Sequence, residues 1–241
     1  MKTIIIIQAR MGSSRLPGKV LMPLGDTVVL DYVVSRCQQV EEIDEVMVAT
    51  STLMQDDAIE NWCQKRHVSC FRGSEGDVLA RYYECAKPHQ PDYVIRVTAD
   101  CPFVDFELAN QIVAAMKAEP SDIVIVEGEL PRGLVVEMVS FSALEYIYHH
   151  GKEPRHREHV TYYAYEFPTE FRRTYVQAPK DICQPQLRIT LDTEEDYQLC
   201  AAVANHFKGN RLVRSSEVVQ FLLAHPDVAK LNAHVQQKPV V

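Results

Sequence analysis

The chain has 241 residues, 46% of them hydrophobic, and a formal net charge of −8 at pH 7. That length and composition suit one large α/β domain or two small ones with a buried core. The acidic balance, with no run of like charge, excludes a broad basic face, so no nucleic-acid partner is expected and any anion must be captured locally.

In chain order, "TIIIIQA" (3–9) is a β-rich apolar run, as expected for a strand covered on both faces at the centre of a parallel sheet. A glycine-rich loop follows, and then a helical spacing over 28–40. Strands are predicted at 44–51, 68–71, 92–100 and 121–126, with helices at 56–67, 78–89 and 105–119 between them. This alternation predicts an open, mostly parallel sheet with right-handed crossovers. Beyond 126 the rhythm breaks into a strand at 133–141, helices at 142–151 and 157–167, and a strand at 171–178. Residues 127–182 therefore read as a small inserted subdomain within one domain spanning 1–241. Strand character returns at 186–192, helices follow at 193–207 and 215–226, and the tail from Asp227 reads as peripheral. Seven scattered cysteines with no C-x-x-C pair point to a reducing cytoplasm, and the opening run of four isoleucines is too short for an export signal or a membrane span.

The loop "QARMGSSRLPGK" (8–19) nearly matches a Walker phosphate loop. It has five residues between Gly12 and Gly18 where that loop has four, and Lys19 precedes Val20 instead of the Ser or Thr that holds magnesium. Gly12 and Gly18 offer special backbone geometry, Ser13 and Ser14 offer hydroxyls, and Arg10, Arg15 and Lys19 offer charge-assisted bonds. The first 25 residues contain no Asp or Glu, so these cations form a positive pocket on an acidic protein. Asp100, in "RVTADCP", ends a strand where a side chain enters the ligand crevice. Asp192, in "LRITLDTEED", does the same. Thr193 and Asp196 make a capping box that leaves Asp192 outside it, and Ser74 with Asp77 can make another. Asp105 is read as a helix cap. His149, His150, His156 and His159 crowd together without the spacing that puts two metal ligands on one helix face.

These segments resemble the cytidylyltransferase family that includes the 3-deoxy-manno-octulosonate and acylneuraminate enzymes, most closely the branch of spore coat polysaccharide biosynthesis proteins. The resemblance runs through "IIIIQARMGSSRLPGKVL", "VATSTLMQDDAI", "FRGSEGDVLARYY", "VIRVTADCPFVD", "PRGLVVEMVSF", "REHVTYY" and "LRITLDTEEDYQL". It implies a Rossmann-like three-layer α/β sandwich of the nucleotide-diphosphosugar transferase type, acting on CTP and a small sugar acceptor as a cytoplasmic homodimer. By family position, Arg10 and Lys19 hold the triphosphate with help from Arg15. Ser74, Asp77 and Arg81 contact the nucleotide, and Asp100 and Asp192 bind Mg²⁺. Arg132, Gly133, Glu137, Arg157 and His159 line the acceptor side. Val135 stands where the family usually has Asp, which leaves open a changed substrate or a non-catalytic nucleotide-binding module. Another nucleotide remains an alternative, and a metal-dependent glycosyltransferase lacks its D-x-D near Asp100.

Overall fold

The computed structural model describes residues 1–237. Four parallel strands, β1 (Thr3–Gln8), β4 (Glu45–Ser51), β5 (Ser69–Gly73) and β6 (Tyr93–Thr98), form one half of a seven-stranded sheet ordered β5-β4-β1-β6-β8-β7-β9. β2 (Pro23–Leu24) and β3 (Thr27–Val28) make a separate antiparallel pair. The other half comprises β7 (Ile123–Glu127), β8 (Glu137–Ser140) and β9 (Arg173–Gln177). Only β8 runs against its neighbours β6 and β7.

The four isoleucines explain the layering. Ile4 to Ile7 are all fully buried, because β1 is paired on both sides and adjacent side chains point to opposite faces. Ile5 and Ile7 join the core beneath α1 (Val29–Cys37), α2 (Asp57–Arg66), α4 (Phe106–Ala118), α8 (Glu194–His206) and α9 (Ser215–Ala224). Ile4 and Ile6 join the core beneath α3 (Val78–Ala86), α5 (Phe141–His150) and α7 (Tyr162–Glu166). Helices on both faces of one sheet give the three-layer sandwich. Two short helices, α6 (Pro154–Glu158) and α10 (Pro226–Ala229), complete the set. No helix among the described residues is long and apolar enough to cross a membrane.

The 127–182 segment, read as a small inserted subdomain, supplies β8 and β9 to the central sheet. Two expectations need correction. Residues 186–192 form no strand beyond an isolated bridge between Arg132 and Arg188. Their amides turn instead to loop carbonyls, Ile189 N to Arg132 O at 2.9 Å and Leu191 N to Asp100 O at 2.7 Å. The helix expected at 157–167 is split at Val160, whose φ of 42° interrupts it.

Candidate active site

The parallel strands deliver their carboxyl ends to one crevice of about 1280 Å³, the place where open α/β sheets bind ligands. The loop after β1 forms one wall. Gly18 sits there at φ 74°, a left-handed turn that glycine adopts without strain, and it starts the short 3₁₀ turn Lys19–Leu21. That turn buries Lys19 and aims its ammonium across the crevice. Lys19 Nζ donates to Asp100 Oδ2 at 2.9 Å, Asp192 Oδ1 at 2.8 Å and the Leu191 carbonyl at 2.8 Å. Three segments distant in sequence thus meet on one nitrogen.

The charges reinforce one another. Burial disfavours the Lys19 ammonium, but Asp100 and Asp192 outweigh it and hold its pKa above the ordinary lysine value. Burial likewise opposes the Asp100 carboxylate. Lys19, with hydrogen bonds from Thr98 and Cys101, holds that group below the usual aspartate value. On Asp192 the second oxygen is taken by Arg15 at 3.1 Å and by Arg188 at 2.8 Å. Arg188 is fixed from behind by the fully buried Asp196, at 2.9 and 3.1 Å. Asn232 Nδ2 donates to Asp196 at 2.7 Å, and Gln237 Oε1 accepts from Arg188 at 2.9 Å. The tail expected to be peripheral therefore braces the site.

The crevice lining includes Arg10, Ser13, Ser14, Arg15, Lys19 and Asp100. It also includes Arg81, Arg132, Gly133, Arg157, His159 and Asp192. Arg81 is buried, donates to the Ser74 carbonyl at 2.7 Å, and leaves its Nε without a partner among the described residues. Burial above all, with Arg10 acting in the same sense, lowers its pKa. Arg10 is half-exposed and pairs loosely with Glu75 at 3.8 Å.

Four expected site residues lie outside this lining. Asp77 caps α3 by accepting from Ala80 N at 2.8 Å and pairs with Arg157 Nε at 2.9 Å. Ser74 accepts from Asp77 N at 3.2 Å and lies before the cap instead of serving as it. Glu137 is turned to Arg96 and Thr161. Gly12 has no left-handed backbone; its missing Cβ makes room for the Gln55 and Glu75 side chains. The other two capping expectations agree with the structure, Asp105 on α4 and the Thr193–Asp196 box on α8. Tyr165 also lines the crevice.

Gly133 has a role the motif alone does not show. Its φ is 100°, and a Cβ there meets Ile189 C and Thr190 N at 2.8 Å, so it lets the 132–133 backbone lie directly on the segment leading to Asp192. Gly133→Ala is expected to cost about 2 kcal/mol in urea unfolding and to lower activity, because the added methyl displaces that segment.

Sequence reasoning missed Asp56, Arg188, Asn232 and Gln237. Asp56 is fully buried and accepts from Met11 N at 2.7 Å, tying down the phosphate-loop analogue. Its "DD" context offers a capping signal only. Among the described residues no group of three or more His, Cys, Asp or Glu is placed to hold a metal. Asp100 and Asp192 remain as a facing pair across Lys19.

Comparison with known proteins shows the family. The cytidylyltransferase family model matches residues 4–218. The chain is similar to the spore coat polysaccharide biosynthesis protein SpsF of Bacillus subtilis, 38% identical over 231 residues, covering 94% of this chain and 96% of that one. It is similar to a 3-deoxy-manno-octulosonate cytidylyltransferase of Anaeromyxobacter dehalogenans, 29% identical over 200 residues, covering 71% and 75%. A solved cytidylyltransferase from Leptospira borgpetersenii superimposes with a TM-score of 0.89 at 29% identity, covering 99% of each chain. The alternatives of a glycosyltransferase or a non-catalytic module give way to this match: the chain belongs to the cytidylyltransferase family and is a nucleotidyltransferase.

Proposed function

We propose that the protein transfers CMP from CTP to a sugar acid or related sugar, releasing pyrophosphate, as a step towards a surface polysaccharide. The observation that supports this most directly is the meeting of Lys19, Asp100 and Asp192 on a crevice walled by the cationic 10–19 loop. An acceptor oxygen forms a bond to the α-phosphorus as the bond to the bridging oxygen of pyrophosphate breaks. The hydroxyl proton passes to solvent. Arg10, Arg15 and Lys19 hold the triphosphate in line, and Ser13 and Ser14 add hydrogen bonds to its oxygens. Arg81, buried beside Arg10 and with no Nε partner among the described residues, gains an anion when the nucleotide arrives. Lys19 stabilises negative charge as it accumulates on the leaving group.

Two carboxylates facing each other beside a phosphate loop are a donor set that fits Mg²⁺, which uses one or two carboxylates and completes its shell with water and phosphate oxygens. Asp100 and Asp192 would hold it. When bound, the metal supplies charge neutralisation on the phosphates and a lower pKa for a coordinated hydroxyl. Homodimeric assembly and a cytoplasmic setting belong to the same proposal, from the family resemblance.

The test is pyrophosphate release with magnesium from each of the four NTPs, offered a panel of 3-deoxy-ulosonic acids and sugar phosphates. Release with CTP and an acceptor, and little with the other three, is the expected result. Preference for another NTP, or none with any acceptor, overturns it.

A further inference from the structure

One ion pair at the crevice is built on the sheet itself, on β6 and β8, and not on the cationic 10–19 loop. Arg96 on β6 and Glu137 on β8 are register partners, and Arg96 Nη1 donates to Glu137 Oε2. The other Glu137 oxygen accepts from Thr161 Oγ1 at 2.8 Å, and Thr161 is completely buried. Desolvating two charges within a sheet is expensive, and apolar side chains of similar volume join strands at least as well. The pair is better explained by what Arg96 faces than by stability.

Arg96 lines the crevice, whereas Glu137 does not. Its Nε has no partner among the described residues, and Nη2 reaches only Gln8 Oε1 at a long 3.4 Å. Nε and Nη2 form the side-on edge of the guanidinium, the fork that matches two oxygens of a carboxylate or phosphate. Gln8, itself in the lining, is the group that an incoming oxyanion displaces.

The neighbours suit that use. His159 and Tyr165 also line the crevice, and the Arg96 charge acts on both. Burial above all, with the Arg96 charge acting in the same sense, holds His159 below the ordinary histidine pKa, so at neutral pH it is an uncharged hydrogen-bonding group. Val160 is buried at φ 42°, a conformation that a β-branched residue adopts only under constraint. This strained turn sends Thr161 inward to Glu137 and leaves His159 on the crevice.

We propose that Arg96, braced by Glu137, recognises the acceptor, and that the acceptor is a sugar bearing an oxyanion taken by the Nε–Nη2 edge. Glu137 is then a positioning residue, not an acceptor ligand. The proposal rests on the nucleotidyl-transfer reading above, because it assigns to the second substrate the end of the crevice left free by the triphosphate.

The experiment compares the wild-type chain with Arg96→Lys and with the double variant Arg96→Met/Glu137→Met, which removes both charges and leaves neither buried alone. Pyrophosphate release is followed with CTP, magnesium and four acceptors: 3-deoxy-manno-octulosonate, its methyl ester, a hexose 1-phosphate and the unphosphorylated hexose. The wild type is expected to use a charged acceptor and neither neutral one, and the acid and phosphate arms identify which oxyanion is recognised. The double variant should raise the KM for the charged acceptor by about tenfold or more while the KM for CTP stays within about twofold. Arg96→Lys, which keeps charge but loses the fork, should fall between. Equal use of a neutral acceptor, or an unchanged acceptor KM in the double variant, overturns the proposal. No release with any of the four, or failure of CTP to raise the melting temperature of the wild type, overturns the parent reading instead.

Discussion

Lys19→Met is expected to abolish pyrophosphate release and to cost about 3–5 kcal/mol of stability, the usual penalty for leaving a buried charge without its partner. The exposed fraction of the Asp100 side chain, 27%, puts the loss towards the lower end. Asp192 keeps Arg15 and Arg188, so the burden falls on Asp100. The pH dependence has a definite sign. The raised Lys19 pKa contributes stability that is complete below the unfolded value of 10.5 and is lost as pH rises through the higher folded value. The lowered Asp100 pKa contributes stability that is present above 3.8 and is lost as pH falls through the lower folded value. The difference between wild type and Lys19→Met should therefore be widest between these limits and shrink beyond either. Urea midpoints from pH 3 to pH 11 measure it; a difference that stays constant across that range removes the ion-pair explanation.

Asp100→Asn should separate chemistry from folding. Lys19 retains Asp192 and the Leu191 carbonyl, and the Asp100 carbonyl still accepts from Leu191 N. Unfolding is expected to change by about 1 kcal/mol, while kcat/KM falls by roughly a thousandfold, as for loss of a charge-stabilising group in a closed site. Stopped or continuous pyrophosphate assays give the comparison, and undiminished turnover by a folded variant refutes a metal-binding part for Asp100. A matching loss on chelation with EDTA, restored by added magnesium, is the companion result.

The sheet's parallel half was legible because its strands are continuous apolar runs with helices between them. "TIIIIQA" reads as a strand buried on both faces, and it lies inside the sheet, paired on both sides. The antiparallel β8 was not legible as a member of the same sheet. Its four residues look like any short strand, and only the three-dimensional pairing with Arg96 and its neighbours places it between β6 and β7. Residues 186–192 misled for a related reason: alternating Leu, Ile and Leu signals a strand with one buried face, but the amides of Ile189 and Leu191 are satisfied by the backbones of Arg132 and Asp100.

For the site, the cations of the 10–19 loop and the strand-end aspartates were legible, because charge without a local counter-ion is conspicuous in an acidic chain. Glu137 and Asp77 lie off the crevice lining because each is held by a partner the sequence does not reveal. Arg96 and Arg157 are the residues that claim them, from β6 and from α6, and no spacing rule connects positions so far apart. Asn232 and Gln237 were invisible because neutral amides in a weakly periodic stretch carry no signal until their hydrogen bonds are seen.

The brace of Asp196, Arg188, Asn232 and Gln237 has a consequence for synthesis in the cell. A nascent chain emerging from the ribosome displays its phosphate loop early and Asp192 much later, yet the side chains that steady that aspartate through Arg188 come later still. The bracing of Asp192 is therefore complete only on the arrival of residues 232–237.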